Sequence, residues 1–269
     1  MKRSFRGAAF AAAPFLIGSA AHAQSPFSAP RNAVVDAAGA KEVEVEAGAG
    51  SLRVEGKPGL HQVQVTGTAW ASSQQGLSRI KLIAERRGDV VFIKADIPDN
   101  DDNSWRDNDS AALDLVIEIP QGMNADVADG SGDAKILNVG SLEMSDGSGG
   151  LSIVGATGSV HVTDGSGDLT IENVGGDVRV NDGSGDINVR NVTGSFIVES
   201  DGSGGIFATD VKGSVVVQND GSGAIEVNKV GKDLRIENKG SGSIEYADVA
   251  GRIDIPERHR DRYRSGADR

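Results

Sequence analysis

The sequence DGSGDLTIENVGGDVRVN, residues 164–181, is one unit of a repeat that decides the fold of this chain. Its opening phrase, Asp-Gly-Ser-Gly, occurs six times, and a seventh copy begins with Lys239 in place of the aspartate. The six aspartates are Asp129, Asp146, Asp164, Asp182, Asp201 and Asp220. Successive copies start 17, 18, 18, 19, 19 and 19 residues apart. Self-similarity at a short, fixed period is typical of a solenoid, in which each unit stacks on the one before.

Apolar and polar residues alternate on both sides of each turn phrase, which is typical of half-buried strands. The first strand of each unit is expected to point these pairs inward: Ala134/Ile136, Leu151/Ile153, Leu169/Ile171, Ile187/Val189, Ile206/Ala208, Ile225/Val227 and Ile244/Tyr246. The second strand contributes Leu142/Met144, Val160/Val162, Val178/Val180, Phe196/Val198, Val215/Val217, Leu234/Ile236 and Ile253/Ile255. Only a parallel stack buries both the strand ladder and these side chains. The sequence therefore predicts an all-β, single-stranded parallel β-helix with coils of about 18–19 residues.

The turn phrase itself has a structural explanation. Glycine takes positive φ and lets neighbouring backbones approach, and aspartate accepts hydrogen bonds from the amides that follow it. Carboxylates stacked one strand apart repel each other by roughly 1 kcal/mol in water, so the column must be solvated, bonded to amides or bridged by cations. The alternative is a calcium-stabilised module like the secreted β-rolls, with the six aspartates as ligands, although their Gly-Gly-x-Gly-x-Asp pattern is not matched. If the phrase is only a structural turn, no metal and no cofactor are expected.

The regular repeats occupy residues 129–255, and residues 42–128 are predicted to belong to the same solenoid in a less regular form. Two alternating runs around Gly88-Asp89 predict a hairpin. The strongly acidic segment 98–110, which contains Trp105, is expected to be a loop before a further strand.

The two ends of the chain differ from the repeat in composition. Residues 1–23 have a basic start, an apolar stretch and a small-x-small site, as in a secretory signal. Residues 24–41 are expected to form a flexible leader, and residues 256–269 an Arg-rich tail. The expected location is therefore the periplasm, the cell surface or the medium. An uncapped stack would also expose strand edges for end-to-end self-association.

Composition excludes several classes of partner. The formal net charge is -12, and loss of the signal, which carries three basic residues and no acids, would change it to -15. Nucleic acids and anionic membranes attract basic surfaces, so neither is expected as a partner. No apolar run after the signal is long enough for a spanning helix, so no membrane insertion is predicted. There is no cysteine for crosslinks.

Binding candidates are the places where the repeat departs from its own pattern. Ile197, Phe207 and Val216 occupy outward positions that other coils fill mostly with polar residues, and Trp105 is the unusual feature of the acidic loop. A hydrophobic contact patch and isolated surface residues both remain open interpretations. His161 is expected between two charged neighbours in a surface column, where a pairing role is favoured over catalysis.

The stacked Gly-Ser-Gly-Asp-Leu-x-Ile-x-Asn-Val-x-Gly-x-Val units, with the strand closed by Ile119-Pro120-Gln121-Gly122, resemble the bacterial putative-adhesin family of β-helical envelope proteins, a domain of unknown function. The resemblance covers about residues 42–255 and implies a right-handed β-helix exported from the cytoplasm. It supplies no catalytic residues. The sequence thus predicts a non-enzymatic interaction module that binds an envelope protein or a glycan. The alternatives are the calcium-stabilised module and a polysaccharide-acting β-helix enzyme.

Overall fold

The computed structural model describes residues 27–97 and 110–256. The expected signal segment, Trp105 and nearly all of the Arg-rich tail lie outside the described residues.

Within this part of the chain, 22 strands form two eleven-stranded sheets. The first sheet contains, in spatial order, β1 (Phe27–Asp36), β4 (Gln62–Ala71), β7 (Ala111–Pro120), β3 (Leu52–Lys57), β9 (Ala134–Leu137), β11 (Leu151–Val154), β13 (Leu169–Val174), β15 (Ile187–Val192), β17 (Ile206–Val211), β19 (Ile225–Val230) and β21 (Ile244–Val249). The second sheet contains β5 (Lys81–Arg87), β6 (Val90–Asp96), β2 (Glu42–Glu46), β8 (Asn124–Asp129), β10 (Leu142–Asp146), β12 (Val160–Asp164), β14 (Val178–Asp182), β16 (Phe196–Asp201), β18 (Val215–Ser222), β20 (Leu234–Ser241) and β22 (Ile253–Asp254). A short helix, α1 (Gln74–Arg79), follows β4.

The predicted β-solenoid is confirmed. From β8 onward the chain alternates between the two sheets, and each strand pairs in parallel with the strand one coil away. Leu151, Leu169 and Ile187 lie in register, as do Val160 and Val178. These side chains are buried between the sheets, so the interior is a narrow stack of aliphatic layers.

The last coil departs from the predicted inward pattern. Ile253 is 40% exposed, and Tyr246 is half-buried. No further coil follows β22 in the described residues, so the inward side chains of this coil lack a layer above them. Ile253 pairs with the inward Leu234, so it occupies the predicted inward column, but it is not buried as a core residue.

The amino-terminal end is built differently from the regular coils. The predicted hairpin is present as β5 and β6, which pair antiparallel around Gly88 and Asp89. In the first sheet, β4 pairs antiparallel with both β1 and β7.

The expectation of a flexible leader over residues 24–41 is wrong for residues 27–36, which form β1. The inward side chains of this edge strand include small residues such as Ala29 and Ala33, which pack against the core. The strand therefore lacks the pattern of large apolar residues that predicts the other strands. Arg31 donates to the carbonyl oxygens of Leu77 and Ile80 at 2.9 Å each, which ties β1 to the end of α1.

The two corners of each coil are made by different residues. In the turn phrase the second glycine has positive φ, for example 134° at Gly185, where a Cβ would lie 1.8 Å from the carbonyl oxygen of Gly167. The other corner uses left-handed residues such as Asn173 and Asn191, with φ of 60° and 57°. Asn191 Nδ2 also donates to Asn173 Oδ1 at 2.7 Å. The same residue types therefore recur at both corners, because neighbouring coils stack closely there.

Candidate functional site

The aspartates of the turn phrase form a column inside the rod, which we call the aspartate column. The first five end a strand of the second sheet, the sixth lies within β18, and each is in register with the next. Its members are Asp129, Asp146, Asp164, Asp182, Asp201 and Asp220, and they are only 2–6% exposed. This burial argues against a solvated column, which is one of the three possibilities that the sequence leaves open. Strand parity explains the burial, since Asp146 is two residues beyond Met144 and so shares its inward side.

One oxygen of the column carboxylates is bound to the turn in several coils. Gly130 N donates to Asp129 Oδ1 at 2.9 Å, and Ser166 N donates to Asp164 Oδ1 at 3.1 Å. Ser184 N donates in the same way to Asp182. The second oxygen has no such partner: among the described residues, none donates to Oδ2 of Asp129, Asp146, Asp164, Asp182 or Asp201. The column thus contains buried carboxylate oxygens to which no residue of the described part of the chain donates a hydrogen bond.

This environment favours the neutral form of the carboxyl groups. Burial, with a contribution from the charge of Asp146, raises the pKa of Asp129 to about 7. Burial and the charge of Asp220 raise the pKa of Asp201 to about 7 as well. The pKa values of Asp146 and Asp182 are raised to about 6 by burial and by the charge of Asp164 between them. Burial is the largest cause in each case, and it also raises the pKa of Asp164.

Lys239 closes the column with a buried positive charge. It stands in register with Asp220, and its side chain is fully buried. Its Nζ lies 2.6 Å from Asp220 Oδ2 and donates to the carbonyl oxygens of Gly223, at 2.7 Å, and of Ser241. The seventh copy of the phrase therefore supplies its own counter-ion, coordinated by a carboxylate and two turn carbonyl groups.

The sequence pattern left calcium as an alternative for this column. Within residues 27–97 and 110–256, no group of three or more histidine, cysteine or acidic side chains is placed to hold a metal ion. Each coil brings only one carboxylate to the column, so any cation there would depend on backbone carbonyl oxygens as well.

A second feature is a shallow groove of about 310 Å³ on the outer face of the second sheet. It runs across the starts of β8, β10, β12 and β14. Its charged lining comprises Glu42, Asp126, Glu143, His161, Asp177 and Arg179, and Ile197 lies at one end. The groove is thus mainly acidic, and at the end nearer β16 it is lined by the basic Arg179 and the apolar Ile197.

The groove side chains pair across neighbouring coils. His161 Nδ1 lies 3.0 Å from Glu143 Oε1, and Arg179 Nε lies 3.0 Å from Glu199 Oε1. The parallel register places Glu143, His161 and Arg179 in one outward column, as predicted. All four side chains are more than a third exposed, so they form a hydrated polar surface suited to hydrogen bonding with a ligand.

The structure brings together two of the four predicted binding residues. Ile197 and Val216 are register partners on adjacent strands, and both are half-buried on the outer face of the second sheet. Phe207 lies on the first sheet, in register with Asn188. Its ring lies against Gly205, where a Cβ would come within 2.4 Å of it. Trp105 lies outside the described residues.

Comparison with known proteins gives neighbours by fold only. No protein-family model and no curated protein matches the sequence. A putative cell adhesion protein from Clostridium sporogenes is 12% identical, with 84% of this chain and 99% of that chain covered and a TM-score of 0.32. A putative adhesin from Bacteroides fragilis is 13% identical, with 86% and 99% covered and a TM-score of 0.42. A putative lipid binding protein from Parabacteroides distasonis is 12% identical, with 84% and 97% covered and a TM-score of 0.39. Proteins named as adhesins are thus among the neighbours of this β-solenoid.

The described residues hold no helix long and apolar enough to cross a membrane.

Proposed function

We propose that this protein is an exported, non-enzymatic interaction module of the cell envelope. Its binding surface is the groove together with Ile197 and Val216, and its partner is an envelope protein or glycan. The observation that carries this proposal is the register pairing of Ile197 with Val216 beside the polar groove. An apolar patch bordered by polar groups is the usual composition of a recognition surface.

The stacked architecture favours a binding role for this face. Parallel register holds the outward side chains in fixed columns, one strand spacing of about 4.8 Å apart. A ligand with a repeating chemical structure therefore meets a regular series of polar groups. Beyond Asp126 and Glu143 the same outward column continues with His161, Arg179 and Ile197, so the groove presents one mixed column to a ligand.

The binding test compares two faces of the same rod. Purified mature protein is immobilised, and binding of fractionated envelope proteins and purified envelope glycans is measured by surface plasmon resonance. The double variant Ile197→Asp, Val216→Asp is expected to lose at least about tenfold in affinity, because it places two charges in the patch. Phe207→Ser, on the opposite sheet, is the matched control and is expected to bind normally. Loss of binding in the control alone would move the site to the first sheet and overturn the assignment.

Export is tested independently of the ligand. The protein is produced with a carboxy-terminal tag in a Gram-negative host, the cells are fractionated, and the amino-terminal residue is determined. We expect the protein outside the cytoplasm with Gln24 as its first residue. An intact Met1 in the cytoplasmic fraction would contradict the export part of the proposal.

A further inference from the structure

We propose that the aspartate column binds dehydrated monovalent metal cations, sodium or potassium, in single file between successive carboxylates. This site lies inside the rod and is independent of the surface proposed above. Small ions would take the place that Lys239 Nζ takes at the end of the column.

The first observation is the set of buried oxygens without partners. Oδ2 of five successive column members receives no hydrogen bond from any described residue. A buried polar atom without a hydrogen bond destabilises the fold, and a buried charge without a counter-ion destabilises it far more. The groups that face the carboxyls are also mainly acidic. They are the neighbouring members of the column and Asp133, with Lys239 as the basic group at one end. When the carboxyl groups are ionised, the column therefore requires positive charge from another source.

The second observation is the arrangement around Lys239. Its ammonium group is held by the carboxylate of Asp220, the carbonyl oxygen three residues later, at Gly223, and the Ser241 carbonyl of the next coil. The repeat supplies the same three groups in every coil. Around Asp182, for example, they are the carbonyl groups of Gly185 and Ser203. One end of the column thus shows what a cation contacts there, and the other coils have the same residues at the equivalent sequence positions.

Charge favours a monovalent ion. Each coil contributes one carboxylate, and Lys239 balances Asp220 with a single positive charge at 2.6 Å. Calcium is usually held by several carboxylates, whereas each coil brings a single carboxylate to the column. Five carboxylates remain for which the residues described in the structure offer no paired cation in the column.

The main test uses a bulky cation as the reference. The melting temperature of the mature protein is followed by circular dichroism at pH 8 in choline chloride, sodium chloride and potassium chloride of equal ionic strength. Choline is too large to enter the column, so sodium or potassium is expected to raise the melting temperature by about 2–4 °C or more. The difference is expected to disappear at pH 5, where protons occupy the carboxyl groups. No difference between choline and the alkali cations at pH 8 would overturn the proposal.

A second measurement does not depend on any variant. Adding sodium chloride to unbuffered protein at pH 6.5 is expected to release protons, because cations and protons compete for the same carboxyl groups. The same addition of choline chloride is expected to release none. Stabilisation by millimolar calcium without stabilisation by sodium or potassium would overturn the choice of a monovalent ion.

Two variants locate the effect. The double variant Asp164→Asn, Asp182→Asn removes two central carboxylates but keeps side chains of the same shape, and it is expected to lose most of the cation dependence. Glu226→Gln removes one exposed carboxylate from the outer face of the first sheet and is expected to behave like the parent protein. Unchanged cation dependence in the double variant would place the ions outside the column and refute the proposal.

Discussion

Stability of this protein is expected to fall as the pH rises from about 4.5 to 7, in a medium without alkali cations. Burial and neighbouring carboxylates raise the pKa of Asp129 and Asp201 to about 7, and of Asp146 and Asp182 to about 6. In the unfolded chain these groups titrate near 3.9. Between the two ranges the folded state binds more protons than the unfolded state. The free energy of unfolding therefore decreases with rising pH and levels off above about pH 7.

The magnitude follows from the number of extra protons held by the folded state. Each net proton changes the free energy of unfolding by about 1.4 kcal/mol per pH unit. One net proton between pH 4.5 and 6.5 corresponds to about 2.7 kcal/mol, or a fall in melting temperature of about 5–11 °C. Four carboxyl groups contribute, so one proton is the smallest effect expected. Burial acts to raise the pKa of Glu55, but hydrogen bonds from Lys57 and Arg53 lower it overall, so its contribution to stability is lost only as the pH falls through its usual pKa and below.

The assay is urea unfolding followed by circular dichroism in choline chloride at half-unit pH intervals. Asp182→Asn is the control, because asparagine keeps an oxygen for the Ser184 amide and stays neutral at every pH. Its stability is expected to depend less steeply on pH and to exceed that of the parent protein at pH 8. A parent protein whose stability is constant or rises between pH 5 and 7 would refute the assignment of buried, neutral carboxyl groups.

Four further substitutions test the end of the aspartate column, a coil corner, the hairpin turn and the core. Lys239→Met leaves its carboxylate partner buried without a counter-ion and is expected to cost about 3–5 kcal/mol in urea unfolding at pH 7.5, with a smaller loss at pH 5; equal losses at both pH values would contradict the ion pair. Gly185→Ala places a Cβ 1.8 Å from the carbonyl oxygen of Gly167 and is expected to prevent folding, as judged by soluble yield. A Cβ added at Gly88 would have no atom within 4 Å, so Gly88→Ala is expected to cost only about 1–2 kcal/mol, for the positive φ. Similar effects at Gly185 and Gly88 would exclude coil stacking as the cause. Ile171→Ala in the core is expected to cost about 2–5 kcal/mol in the same unfolding assay, and a loss below 1 kcal/mol would show that the interior is not closely packed.

The regular coils could be predicted from the sequence because two periodicities agree there. The repeat length fixes which residues stack, and the alternation within each strand fixes which side they face. These two periodicities predict Leu169 and Ile187 in one inward column, and the two residues are register partners in the structure. The outward column that contains His161 and Arg179 follows from the same reasoning.

The remaining features depend on contacts that neither periodicity describes. The edge strand β1 is held by backbone pairing to β4 and by the hydrogen bonds of Arg31, so it needs few apolar residues. The burial of the aspartate column was missed because a charged residue in a Gly-Ser turn is ordinarily exposed. The parity that places Met144 inward also places Asp146 inward, and that signal was available in the sequence.

The aspartate column also fixes the register of the coils, which the similar aliphatic layers of the core do not. A whole-coil slip would replace each inward aliphatic residue with a similar one, so the hydrophobic layers resist it weakly. The column has two different ends: the register places Ala47 beside Asp129 at one end, and Lys239 contacts Asp220 at the other. A slip of the last coil would separate Lys239 from its carboxylate, and loss of one partner from a buried ion pair costs about 3–5 kcal/mol. The substitution of lysine for aspartate in the seventh phrase therefore specifies where the stack of carboxylates ends.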